Sequence, residues 1–166
     1  MHCQEIGPSG TAVANVFFDL TKKVFTGLKS KRISKLNEEV NAAYEELGIR
    51  DNIIGRLLEY KHFCDDTAPF QNQPDFMHSV IQARQTRYLV PVAAKLCRKF
   101  HKTGDEYSTL RLKCLENLAT SYDLVDRNGL FLGGDTEKYQ QCISDFVSSY
   151  AALNAIAHRK DEKQWA

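Results

Sequence analysis

Apolar residues recur along this chain at steps of three and four, and no run of strict apolar and polar alternation stands between turn residues. The pattern predicts an all-α fold of about six helices with no sheet. The first spans Thr11 to Leu28, with Val13, Val16, Phe17, Leu20, Val24 and Leu28 on one stripe. A second, Lys31 to Leu47, carries Ile33, Leu36, Val40, Ala43, Tyr44 and Leu47, and Gly48 follows where a left-handed residue would close it. Asp51 caps a third, with Ile53, Ile54, Leu57 and Leu58, which ends near Cys64.

After the loop Asp65 to Pro74, Asp75 caps a long fourth helix from Phe76 to His101, closed by Gly104. Pro91 lies inside it and removes a backbone donor, so a kink is expected there, at about 3 kcal/mol if nothing compensates. Asp105 caps a fifth helix bearing Leu110, Cys114, Leu118, Tyr122 and Val125, and Asp135 caps a sixth bearing Tyr139, Cys142, Ile143, Phe146, Tyr150 and Leu153. Short links predict antiparallel neighbours in one bundle, a single helical domain over 1–166. The sixth pattern runs into charged residues without a closing Gly or Pro, which suggests a piece of a longer protein.

Charge changes this picture in one place. The chain has 22 Lys and Arg against 21 Asp and Glu, a net of +1, which excludes a strongly basic nucleic-acid protein on global charge. Between Phe76 and Gly104, however, six cations (Arg84, Arg87, Lys95, Arg98, Lys99, Lys102) meet no Asp or Glu. At ~100° per residue on an ideal helix, Arg84, Arg87, Lys95, Arg98 and Lys102 fall within a sector of roughly 80°, joined by Tyr88. A row of cations on a rigid rod, with a tyrosine to stack on a base, suits nucleic acid or another polyanion. The same row also suits a helix face answered by acidic neighbours, with Glu38, Glu39, Glu45, Glu46, Asp123 and Asp126 as the candidates. In that second case the chain is a structural or protein-interaction bundle, and the loop Leu130 to Leu132 is either tucked in or offered to a partner.

The cysteines and histidines offer a third class of function, a metal- or thiol-dependent enzyme. Five cysteines, odd in number and widely spread, indicate intracellular thiols instead of a disulfide framework. His62, Cys64, Cys97 and His101 could close a tetrahedral zinc site, since Cys97 and His101 share a helix face at i and i+4. Cys97 beside Arg98, Lys99 and His101 is a candidate reactive thiol, and an inert core thiol is its ordinary alternative. Glu59 and His62 make one Glu-x-x-His unit, where a diiron bundle needs two. P-loop, Rossmann, nucleophile-elbow and zincin motifs do not occur; the apolar stretch Ala12 to Phe18 lacks the basic region before it and the small-residue cleavage site after it that a signal peptide needs, and no charge-free apolar stretch is long enough to span a membrane, so the expected location is the cytoplasm or nucleus.

From Leu115 to Asn154, the run Leu-Ala-Thr-Ser-Tyr-Asp-Leu-Val-Asp and the later Asp-Phe-Val-Ser-Ser-Tyr-Ala-Ala-Leu-Asn resemble high-copy, mobile-element-like reading frames of protist genomes. The shared stretch holds no catalytic motif, so the resemblance implies no residue roles. It implies a segment of a longer element-encoded protein, a setting that suits a helix contacting nucleic acid.

Overall fold

The computed structural model describes residues 8–49, 58–59, 83–126, 133–160 and 165, with the side chains of 83 and 84 excepted. Among the described residues the fold is all-α, with five α-helices and no strand: α1 (Pro8–Asp19), α2 (Lys29–Glu46), α3 (Ala83–Lys99), α4 (Glu106–Asp126) and α5 (Asp135–Arg159). None of them is long and apolar enough to cross a membrane.

The first helix is inside the molecule on all sides. Ala12, Val13, Ala14, Val16 and Phe17 are fully buried, and so are Ser9, Asn15 and Asp19. Both α3 and α4 pack against it. The expected stripe up to Leu28 stops short. After Asp19 the coil widens into a π-helical turn, Leu20–Val24, in which the Phe25 N–H donates to the Leu20 carbonyl at 2.7 Å, five residues back. Thr21 Oγ1 donates toward the Phe17 and Phe18 carbonyls, 2.9 Å from each, where the α ladder is broken. Leu28 therefore falls outside the helix and is 71% exposed.

The second helix follows its sequence pattern closely. Leu36, Val40, Ala43 and Tyr44 are buried. Gly48 takes φ 65°, its N–H bonded to the Glu45 carbonyl and the Ile49 N–H to the Tyr44 carbonyl, both at 3.1 Å. That is a Schellman closure, which satisfies two otherwise orphaned carbonyls.

Three expectations are corrected. The third predicted helix falls mostly outside the described residues, but Leu58 and Glu59, which it should contain, are not helical. Asn37 of α2 explains this, because its Oδ1 accepts the Leu58 N–H at 2.7 Å and its Nδ2 donates to the Leu58 carbonyl at 2.9 Å. One amide side chain thus takes the bonds a helical ladder would have used. The fourth predicted helix ends at Lys99, so His101 lies beyond it in the loop. Pro91 lies inside this helix, as the sequence places it. Finally, Asp135 does not cap the last helix: Gly134, at φ 85°, occupies the cap position and Asp135 is the first helical residue, where its charge complements the helix N-terminus.

Asp105 does cap as expected, with its Oδ1 accepting the Tyr107 N–H at 3.2 Å. Helices pack in the order α2, α3, α4, α5, and the α4 to α5 seam is the most extensive. One apolar cluster runs from Ala12 through Leu89, Leu96, Leu115, Leu118 and Leu153 to Trp165.

Candidate functional site

The cation-rich face of α3 lies along two seams, one toward α2 and one toward α4, and its charges are answered on both. Lys95 Nζ is 2.6 Å from Glu46 Oε2, and Lys99 Nζ is 2.5 Å from Glu39 Oε2. On the other side, Arg98 Nε donates to Glu116 Oε1 at 2.9 Å, and Arg87 pairs with Asp126. Lys35 Nζ reaches the same buried Glu39 at 2.9 Å from within α2. Burial alone would raise the Glu39 carboxyl, but the hydrogen bonds from Lys99 and Lys35 outweigh it and hold the group below its ordinary value. Lys95 likewise holds Glu46 low. Of the residues expected on the stripe, Tyr88 is half-buried and packs against the apolar core. Lys102 is exposed beyond the helix end, and the side chain of Arg84 lies outside the described residues.

Of the expected zinc ligands, Cys97 and His101 lie among the described residues. Cys97 is 1% exposed, and burial pushes its thiol up to about 12, the reverse of an activated thiolate. His101 Nδ1 lies 3.3 Å from Ser108 Oγ, which also accepts the Lys102 N–H at 2.9 Å. His62, Cys64 and the loop Leu130 to Leu132 lie outside the described residues. Among the described residues no group of three or more His, Cys, Asp and Glu is placed to hold a metal ion.

A second polar centre, absent from the sequence reading, lies where α1, α4 and the segment after α5 converge. Asp19 is fully buried at the end of α1. Tyr107 Oη donates to its Oδ2 at 2.6 Å, Arg111 Nη1 stands 3.5 Å from the same oxygen, and Lys23 Nζ lies 3.4 Å from Oδ1. Burial raises the Asp19 carboxyl above its ordinary value, against the pull of Lys23, Arg111 and Tyr107. The Arg111 Nε has no hydrogen-bond partner among the described residues.

Trp165 closes this centre. Its indole Nε1 donates to Tyr107 Oη at 2.8 Å, its backbone N–H donates to Asn15 Oδ1 at 3.1 Å, and its ring meets Tyr150 edge-on at 5.4 Å. Beside it a cleft of about 230 Å³ opens between the start of α4 and the end of α5, lined by Asp105, Glu106, Tyr107, Ile156, Arg159 and Lys160. Two columns in the sequence foreshadow the centre, Asn15, Asp19 and Lys23 on one helix and Tyr107 and Arg111 on another, each at i, i+4 spacing. Only the fold sets them face to face.

The chain matches no protein-family model, no curated protein and no solved structure. Its function is therefore argued from its own residues.

Proposed function

We propose that this chain is a structural, protein-interaction bundle whose basic helix fastens acidic neighbours and does not read nucleic acid. The observation that carries this reading is the pairing along α3: Lys95, Lys99, Arg98 and Arg87 each meet a carboxylate on an adjoining helix. A phosphate row would have to displace those carboxylates, which lower the local balance from the +6 the sequence suggests to about +2. Tyr88, the residue suited to stack on a base, is packed against the core instead. The exposed apolar residues Leu28, Leu47 and Val147 give the surface further means of contact with protein.

The test is binding of labelled single- and double-stranded nucleic acid across a salt series, with an Arg84→Glu/Arg98→Glu chain alongside. The expected result is weak binding, equal in both proteins. Binding that falls steeply with salt and disappears in the double variant overturns the reading in favour of a polyanion site.

A further inference from the structure

The corner between the π-helical turn and α2 works against the helix it starts. Leu28 holds the cap position of α2, where Ser, Thr, Asp or Asn would accept a free backbone N–H, and no side-chain cap bond is made there. The first turn behind it has no acidic residue and carries Lys29, Lys31 and Arg32, whose charge opposes the positive end of the helix dipole. Leu28 is also 71% exposed, so it adds little to the core.

The corner is nonetheless well braced. Gly27 turns the chain at φ 101°, Arg32 Nη1 donates to the Thr21 carbonyl at 2.8 Å, and Phe25 sets its ring edge-on to Phe100 at 5.2 Å. Thr26 through Lys31 are exposed without interruption. From Leu20 to Asn37 the chain has six cations (Lys22, Lys23, Lys29, Lys31, Arg32, Lys35) and no Asp or Glu. Asp19, Glu38 and Glu39, which pair with Lys23 and Lys35, lower that +6 to about +3 among the described residues.

We propose that this corner is a contact for an anionic lipid surface, with Leu28 entering the interface and Lys22, Lys29 and Lys31 lying over the headgroups. Six consecutive exposed residues at a turn suit a flat face better than a groove. Five of the six cations are lysine, and the one arginine is turned inward to Thr21. Protein interfaces and paired phosphate recognition favour arginine, whereas a diffuse layer of acidic headgroups needs only point charges. The apolar tip completes the match, because Leu28 finds in the acyl boundary the burial it lacks in the fold. Such contact needs no spanning helix. Leu28 is then a lipid contact, and Leu47 and Val147 remain for protein.

The experiment measures sedimentation of the full chain with vesicles of phosphatidylcholine alone and of an equal mixture with phosphatidylserine, across a salt series. Binding is expected to the mixed vesicles only, weakening as salt rises. Leu28→Ser separates surface from fold, because it supplies the missing cap: it should raise the thermal midpoint and weaken vesicle binding by about threefold or more. Lys29→Glu/Lys31→Glu should keep the helical signal and weaken binding at least about tenfold. No binding to the mixed vesicles, or equal binding to both kinds, overturns the lipid contact. So does a lower thermal midpoint in Leu28→Ser, which would make Leu28 part of the fold, or undiminished vesicle binding in that variant. An equal loss in Lys113→Glu/Lys138→Glu, which changes the charge of exposed positions on α4 and α5 by the same amount, overturns it too, since net charge would then set the binding. Salt-steep binding of nucleic acid that Lys29→Glu/Lys31→Glu abolishes, in a chain that ignores vesicles, assigns the corner to that polyanion instead.

Discussion

Two regions of this molecule are built from opposite charges, and they differ in nearly every energetic respect. Along α3 the pairs lie at the surface: Arg98 is 68% exposed, and Glu46, the partner of Lys95, is 60% exposed. At the end of α1, Asp19 and Arg111 are 0% and 4% exposed. Surface pairs are solvated before and after they form, so each is worth only ~0.2–1 kcal/mol, and salt screens it. The buried pair has given up its hydration, so removal of one partner strands the other in a medium that cannot solvate it. The row that dominates the sequence is energetically slight, and the pair that the sequence hides is the one that is costly to break.

The sharpest way to break the contrast is Arg111→Met, which keeps the bulk of the side chain and removes the charge. It should destabilise the fold by about 3 kcal/mol in chemical denaturation, since Asp19 is left with Lys23 and Tyr107 alone. A loss under about 1 kcal/mol would place this pair among the surface ones.

Acid separates the regions by sign. Glu39 is held below its ordinary value, so its contribution is complete above its unfolded pKa of roughly 4.3 and is lost as pH falls through the lower folded value. Asp19 is raised, so the folded state takes up its proton more readily, and its contribution declines as pH rises through the folded value. Denaturation midpoints taken across the acid range should therefore fall less steeply in Glu39→Gln than in the unmodified chain. In Asp19→Asn they should fall more steeply, because the opposing contribution has gone. The same slope in all three proteins would contradict both assignments.

The smallest effect is expected for Glu116→Gln, which leaves Arg98 in water. It should cost at most ~0.5 kcal/mol and less at high salt. A cost several times larger would show that the α3 to α4 seam depends on its charges.

The helical class was legible because burial on one side writes a 3.6-residue period into the chain, and α2 with its glycine closure shows how completely that can work. Local chemistry was legible too where it stays local, as in the Asp105 cap and the left-handed Gly104. What escaped was set by contacts distant in sequence. Asn37 captures Leu58 across 21 positions, and Asn15 meets Trp165 across 150. The basic stripe was legible as a row of charges but not as a set of pairs, because periodicity does not say which helix packs beside it. Glu39 and Glu46 were named as candidates for that role, as was Asp126. Glu116, the partner of Arg98, was not.

The wide turn at Leu20–Val24 carries one residue more than an α turn would. It is thus a natural place for the chain to gain or lose a residue. Elsewhere in α1 a single insertion would rotate everything beyond it by ~100° and turn the buried face toward solvent. Here the excess is already absorbed, and Thr21 has already taken over the carbonyls it uncovers. Length variation in this helix, if lineages of the chain have diverged, should be concentrated within those five positions, with Asp19 held in place beside them.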